Sequence, residues 1–163
     1  MVKKSNPMKT IKDLITISKK YDTAFDERNK RFTEWQQTKF TIVKDTLTTI
    51  CNELTENVDF YKSNLFVEGH VNLPLDGVGI RSGVQKIDIN RNGENGFYIQ
   101  FTPIDNGKIA IVTYPHSIGK GEQSSKFVDL IEPKNLNAQE VVNLVYKALE
   151  QVQKTSLLFA QMD

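Results

Sequence analysis

The sequence predicts an α+β fold, with helices at both ends and an antiparallel sheet between them. Three observations carry that prediction. All nine glycines fall between Gly69 and Gly121. The five prolines, at 7, 74, 103, 115 and 133, leave two long tracts without one. The spacing of apolar residues also changes from helical to two-residue and back as the chain crosses those limits. Glycine and proline are the strongest helix breakers, so tracts lacking both permit helix.

In the first tract Met8, Ile11, Leu14, Ile15, Tyr21, Phe25, Phe32, Trp35, Ile42, Val43, Leu47, Ile50, Cys51 and Leu54 follow steps of three, four and seven. Asp22 or Thr23 could cap a new helix, with Asp26 three residues beyond Thr23. The reading is a short helix near 8–20 and a long one near 23–56. About 34 residues at roughly 1.5 Å each make a rod of about 50 Å, longer than a compact domain of this size covers. A second helix, from this chain or another copy, is expected to share its apolar stripe.

The glycine-rich middle reads as about five strands in a meander. Leu65, Val67 and Val71 alternate with Phe66, Glu68, His70 and Asn72; Phe97, Ile99 and Phe101 alternate with Tyr98, Gln100 and Thr102; Ile109 and Ile111 alternate with Ala110 and Val112. Asp76-Gly77, Asn92-Gly93 and Asn106-Gly107 suit hairpin turns. Between Val78 and Asn90 the apolar phase flips, which predicts a bulge or corner near Ser82-Gly83. A last strand is expected near Lys126 to Ile131. In the final tract Asn137 is a good N-cap with Glu140 at the third helical position, and Leu136 and Val141 can form a hydrophobic staple. Val141, Leu144, Val145, Ala148, Leu149, Val152 and Phe159 make its buried stripe. The chain is thus read as one domain over 1–163, with a helical arm over 8–57, a sheet over 63–132 and a C-terminal helix over 137–161. Short turns favour antiparallel neighbours, and the lack of strand–helix–strand alternation argues against a nucleotide-binding α/β fold.

Composition narrows the function classes. With 163 residues, 39% hydrophobic and 25% charged, the chain can bury a core. A net charge of +1 points to no polyanionic partner. One cysteine and two histidines exclude an intrachain disulfide and a Cys/His zinc cluster. No apolar run is long enough for a signal peptide or a membrane span, so the cytoplasm is the expected compartment and no membrane association is expected. The lysine-rich first twenty residues could touch nucleic acid or acidic lipid, but a solvated helix face is the preferred reading.

Complete catalytic or cofactor motifs are absent, and no cofactor or metal is expected. Asp88-x-Asn90-x-Asn92-Gly93 opens like a calcium loop but carries Ile99 where the closing Glu belongs. Gly119-Lys120-Gly121 fails a phosphate loop at two positions, and Gly77-x-Gly79 lacks the third glycine of a dinucleotide loop. In Gly96 to Phe101, Phe97 and Tyr98 point to opposite strand faces, unlike the paired aromatics of an RNA-recognition strand. Cys51 reads as a small buried hydrophobe without a partner base.

Two expectations about sites follow. Glu68, His70, Lys86, Asp88, Gln100 and His116 supply acid, imidazole, amine and amide groups. If the polar strand faces coincide they form a shallow patch for a small polar ligand or acid–base work. Phe25, Phe32 and Trp35 are expected anchors on the overlong helix. The favoured function is a non-catalytic interaction or scaffold protein, self-associating through that helix as a homodimer, with another protein as an alternative partner. The alternative is a ligand-binding protein or enzyme using the open polar sheet face.

Overall fold

The structure is a computed structural model that describes residues 7–71, 75–83, 85–86, 93–117 and 124–159. Its first element is α1 (Ile11–Glu34), opened by a capping box. The Thr10 hydroxyl accepts from the Asp13 amide, and the Asp13 carboxylate accepts from the Thr10 amide at 2.7 Å. No break occurs near 20–23. Asp22 and Thr23 lie inside α1, because nothing there competes with the helical hydrogen bonds of a tract free of glycine and proline. Instead of two helices there is one rod, running through a π turn (Trp35–Lys39) into α2 (Phe40–Asn57).

The π turn has a cause legible in the residues. Ile11, Leu14, Ser18, Tyr21, Phe25, Arg28, Phe32 and Trp35 repeat by threes and fours; the series resumes at Phe40, Val43, Leu47, Ile50 and Leu54. The step from Trp35 to Phe40 is one residue too long for an α-helix. The π turn absorbs the extra residue, with the Phe40 amide bonding back to the Trp35 carbonyl. It sets the Trp35 and Phe40 rings edge to face, 5.7 Å apart at 89°. The whole rod is about 70 Å long at roughly 1.5 Å per residue.

Five strands form the main sheet: β1 (Leu65–His70), β2 (Gly77–Ser82), β5 (Tyr98–Pro103), β6 (Ile109–Tyr114) and β7 (Lys126–Ile131). Their order is β1-β2-β5-β6-β7 and every pair is antiparallel. The expected bulge near Ser82-Gly83 is instead the end of a strand. The Ser82 amide bonds the Phe97 carbonyl and the Gly83 amide bonds the Asn64 carbonyl, so the chain leaves the sheet. It then forms a separate two-stranded ribbon from β3 (Gln85–Lys86) and β4 (Gly93–Glu94). Gly96 must be bare, because a Cβ there would collide with the Ser82 carbonyl.

Helix α2 packs on β1 and β2, and α3 (Ala138–Gln153) on β5, β6 and β7, so both cover one face of the sheet. Val43, Leu47 and Cys51 of α2 and Val141, Leu144, Val145, Ala148 and Val152 of α3 are buried against Ile80, Ile99, Phe101, Ile109 and Ile111. Asn137 caps α3 by accepting from the Glu140 amide at 2.9 Å, and both staple residues, Leu136 and Val141, are fully buried. The helix ends at Gln153, short of the expected 161, and Phe159 is not part of its stripe but partly exposed. A buried carboxylate ends it. Glu94, inaccessible on β4, accepts from the Ser156 hydroxyl and from the Leu157 amide, each at 2.7 Å, so the chain turns instead of continuing.

Candidate functional site

Among the described residues two surfaces stand out for function: the uncovered sheet face and the free length of α1. On the uncovered face Glu68 and His70 of β1, Arg81 of β2 and Tyr98, Gln100 and Thr102 of β5 come together. Two glycines form the floor. A Cβ at Gly77 would strike the His70 ring, and one at Gly79 would lie 2.7 Å from the Tyr98 ring. The Gly77-x-Gly79 pair is therefore space for two rings lying against a strand.

These groups are wired to one another. The Tyr98 hydroxyl donates to the Glu68 carbonyl at 3.1 Å and lies 3.3 Å from His70 Nδ1, so Nδ1 carries the proton and the phenol oxygen accepts it. His70 Nε2 then accepts from the Thr102 hydroxyl at 2.8 Å. Burial lowers the pKa of His70 and outweighs the raising effect of Asp76 and Glu68, which keeps the imidazole neutral near neutral pH. Burial, helped by the Glu68 charge, pushes the Tyr98 hydroxyl up to about 12, so it stays a donor. Arg81 pairs with Glu68 at 3.2 Å. Both ring nitrogens of His70 are thus engaged inside the sheet. The arrangement can hold a neutral imidazole against a threonine hydroxyl, and its polar groups chiefly satisfy each other.

The expected patch is only partly assembled. Glu68, His70 and Gln100 share the face. Lys86 has its backbone in the β3–β4 ribbon and not in the main sheet, and Asp88 lies outside the described residues. His116 does not join the face. Its ring is buried edge-on to Phe97, with Nδ1 3.0 Å from the Asn95 carbonyl and 3.3 Å from Glu94 Oε1, because the chain turns toward the core end after β6. Glu94 and Ser156, which complete that buried cluster, carried no sequence signal; an isolated glutamate after an Asn-Gly pair reads as a turn. The Ser156 hydroxyl bonds the carboxylate and not the imidazole, so the serine–imidazole contact of a hydrolytic nucleophile is not formed here. Among the described residues no group of three His, Cys, Asp or Glu is placed to hold a metal ion.

The second surface begins where α1 leaves the body of the protein. Its root is clamped to the β5–β6 hairpin and the segment after β7. Arg28 Nε donates to the Asp105 carbonyl at 2.7 Å, and Arg31 makes a two-pronged pair with Glu132 at 2.6 and 3.0 Å. Lys108 adds a contact to Glu132 at 3.4 Å. The Arg31 guanidinium holds the Glu132 carboxyl below its usual range. Ahead of the clamp every residue from Met8 to Glu27 is exposed. Ile11, Leu14, Ile15, Ile17, Tyr21 and Phe25 lie between 52% and 77% exposed.

Of the three expected anchors, Phe25 stands free on this arm. Phe32 is half-buried at the root, with the Arg28 guanidinium 4.3 Å from its ring centre. Trp35 is no surface anchor: it is 1% exposed, donates from Nε1 to the Asp76 carbonyl at 3.0 Å and belongs to the core. The free apolar residues lie earlier in the chain, and the close run of isoleucines from Ile11 to Ile17 was the signal for them. Among the described residues no helix is long and apolar enough to cross a membrane. No family model, no curated protein and no solved structure matches the chain.

Proposed function

We propose that the protein is a non-catalytic assembly module that associates with a second copy of itself through the free length of α1. The observation that carries this reading is the row Ile11, Leu14, Ile15, Ile17, Tyr21 and Phe25, all exposed on a helix whose continuation is buried. Burying a large apolar side chain fully is worth about 1.5–3 kcal/mol, so covering this row is a strong drive. Most helical stability in proteins comes from packing an apolar face, and α1 buries no residue of its own. A partner helix stabilises it on both counts.

The sheet face supports the same reading by contrast. His70, Tyr98 and Thr102 bond one another and Arg81 bonds Glu68, which leaves a small polar ligand few groups to recruit. A two-fold pairing is favoured because it presents the same patch twice. Light scattering on the full chain tests the proposal. The native protein is expected at twice the monomer mass at micromolar concentration. Leu14→Glu with Phe25→Glu is expected to return it to monomer with the denaturant midpoint of the native protein diluted to monomer, since neither side chain is buried in the body. A native protein that is monomeric at that concentration overturns the proposal.

A further inference from the structure

We infer that the two arms pair antiparallel, each seating its helix start in a notch at the root of the other. The inference rests on the homotypic reading above and names the orientation and the contact. Charge along the arm is divided. Between Lys9 and Lys20 stand four lysines and one acid, Asp13, a net +3; between Asp22 and Glu27 stand three acids and no base, a net −3. A parallel pair sets like halves side by side. An antiparallel pair centred near Lys19 instead brings Lys12 of one arm level with Asp26 of the other and also opposes the two helix dipoles.

The notch gives the antiparallel pair a seat. An open cleft of about 550 Å³ lies where α1 passes the β5–β6 hairpin. Tyr21, Ala24 and Phe25 give it an apolar wall, Asp22 and Asp105 put acids on its rim, and Arg28, held by the Asp105 carbonyl, lines it as well. The chemistry it fits is an apolar helix end flanked by cations. The start of the arm is such an end: Met8 and Ile11 are fully displayed, with Lys9 and Lys12 beside them. The lengths agree as well. With the centre of the pair near Lys19, a partner laid along the arm in the opposite sense brings its Ile11 beside Phe25 and Arg28.

Spin labels on single exposed positions of the full chain read the orientation. The positions are Lys12→Cys and Lys19→Cys. Native Cys51 is buried, donates to the Leu65 carbonyl and has its thiol pushed up by burial, so it serves as the unlabelled control. The antiparallel pair predicts a short label-to-label distance at Lys19 and one lengthened at Lys12 by an axial offset of about 20 Å, from roughly 1.5 Å per residue. Equal short distances at both positions mean parallel helices; they overturn this inference and leave the homotypic reading intact. No intermolecular distance, together with a monomer in light scattering, overturns the reading beneath it. A monomer whose labels become immobile only on vesicles of anionic lipid assigns the arm to a membrane surface and overturns both.

Discussion

Gly107 shows how much a single residue can fix. It turns the β5–β6 hairpin at φ +82°, a backbone conformation that side chains resist. It also lies against the rod, where a Cβ would meet Arg31 Cβ at 2.7 Å and the Arg28 carbonyl at 2.8 Å. Gly107→Ala is therefore expected to lower stability by about 1–3 kcal/mol, from backbone strain and from prising the root clamp. Urea unfolding measures this, and an unchanged midpoint would refute it. The Asn106-Gly107 turn was legible in the sequence because those residue types readily adopt the positive φ that other side chains resist. That Gly107 also seats the helix was not, since the contact joins residues far apart in the chain. Gly77 and Gly79 teach the same lesson: their spacing was visible, but the rings they accommodate come from neighbouring strands.

At the scale of elements, the cap of α3 and the phase of the strands were read better than the lengths of the helices. Asn137 and the strand alternations are local signals, and the structure follows them. The length of α3 is set from elsewhere, by Glu94 capturing Ser156 Oγ and the Leu157 amide. Glu94 is inaccessible to water and also 3.3 Å from His116, so the ribbon, the end of β6 and the end of α3 meet on one carboxylate. Glu94→Ala leaves the Ser156 hydroxyl and the Leu157 amide without their acceptor and is expected to cost about 1–3 kcal/mol of stability, the penalty of a buried unpaired polar group. A loss below about 1 kcal/mol, the range of ordinary surface substitutions and mild changes, would show that the cluster does not fasten these elements.

For the whole molecule, the layers were legible because glycine, proline and apolar period all divide the chain at the same places. The continuity of the rod was not, because a possible cap at Asp22 or Thr23 is visible in sequence whether or not it is used. Stability should fall with acidity in two stages. His70 has a pKa lowered from 6.5, so its contribution is complete above that pH and is lost as pH falls through the folded value. Glu132 and Asp129 have pKa values lowered from 4.5 and 3.8 by Arg31 and Lys147, and their contributions are lost only at stronger acidity. The urea midpoint followed from neutral to acidic buffer should show both stages, and His70→Gln should remove the upper one. A single acid stage in the native protein would contradict this.

The π turn carries a consequence for the bearing of the arm. Between Trp35 and Phe40 the helix holds one residue more than a regular spiral needs. Each residue turns an α-helix by about 100°. Were Trp35–Lys39 to close as regular α-helix with no residue removed, the overhang would swing by about that angle around its own axis and Trp35 would leave its seat in the core. The azimuth at which this molecule offers its isoleucines is thus written as a count of residues, as a compass heading is set by the notches on a dial.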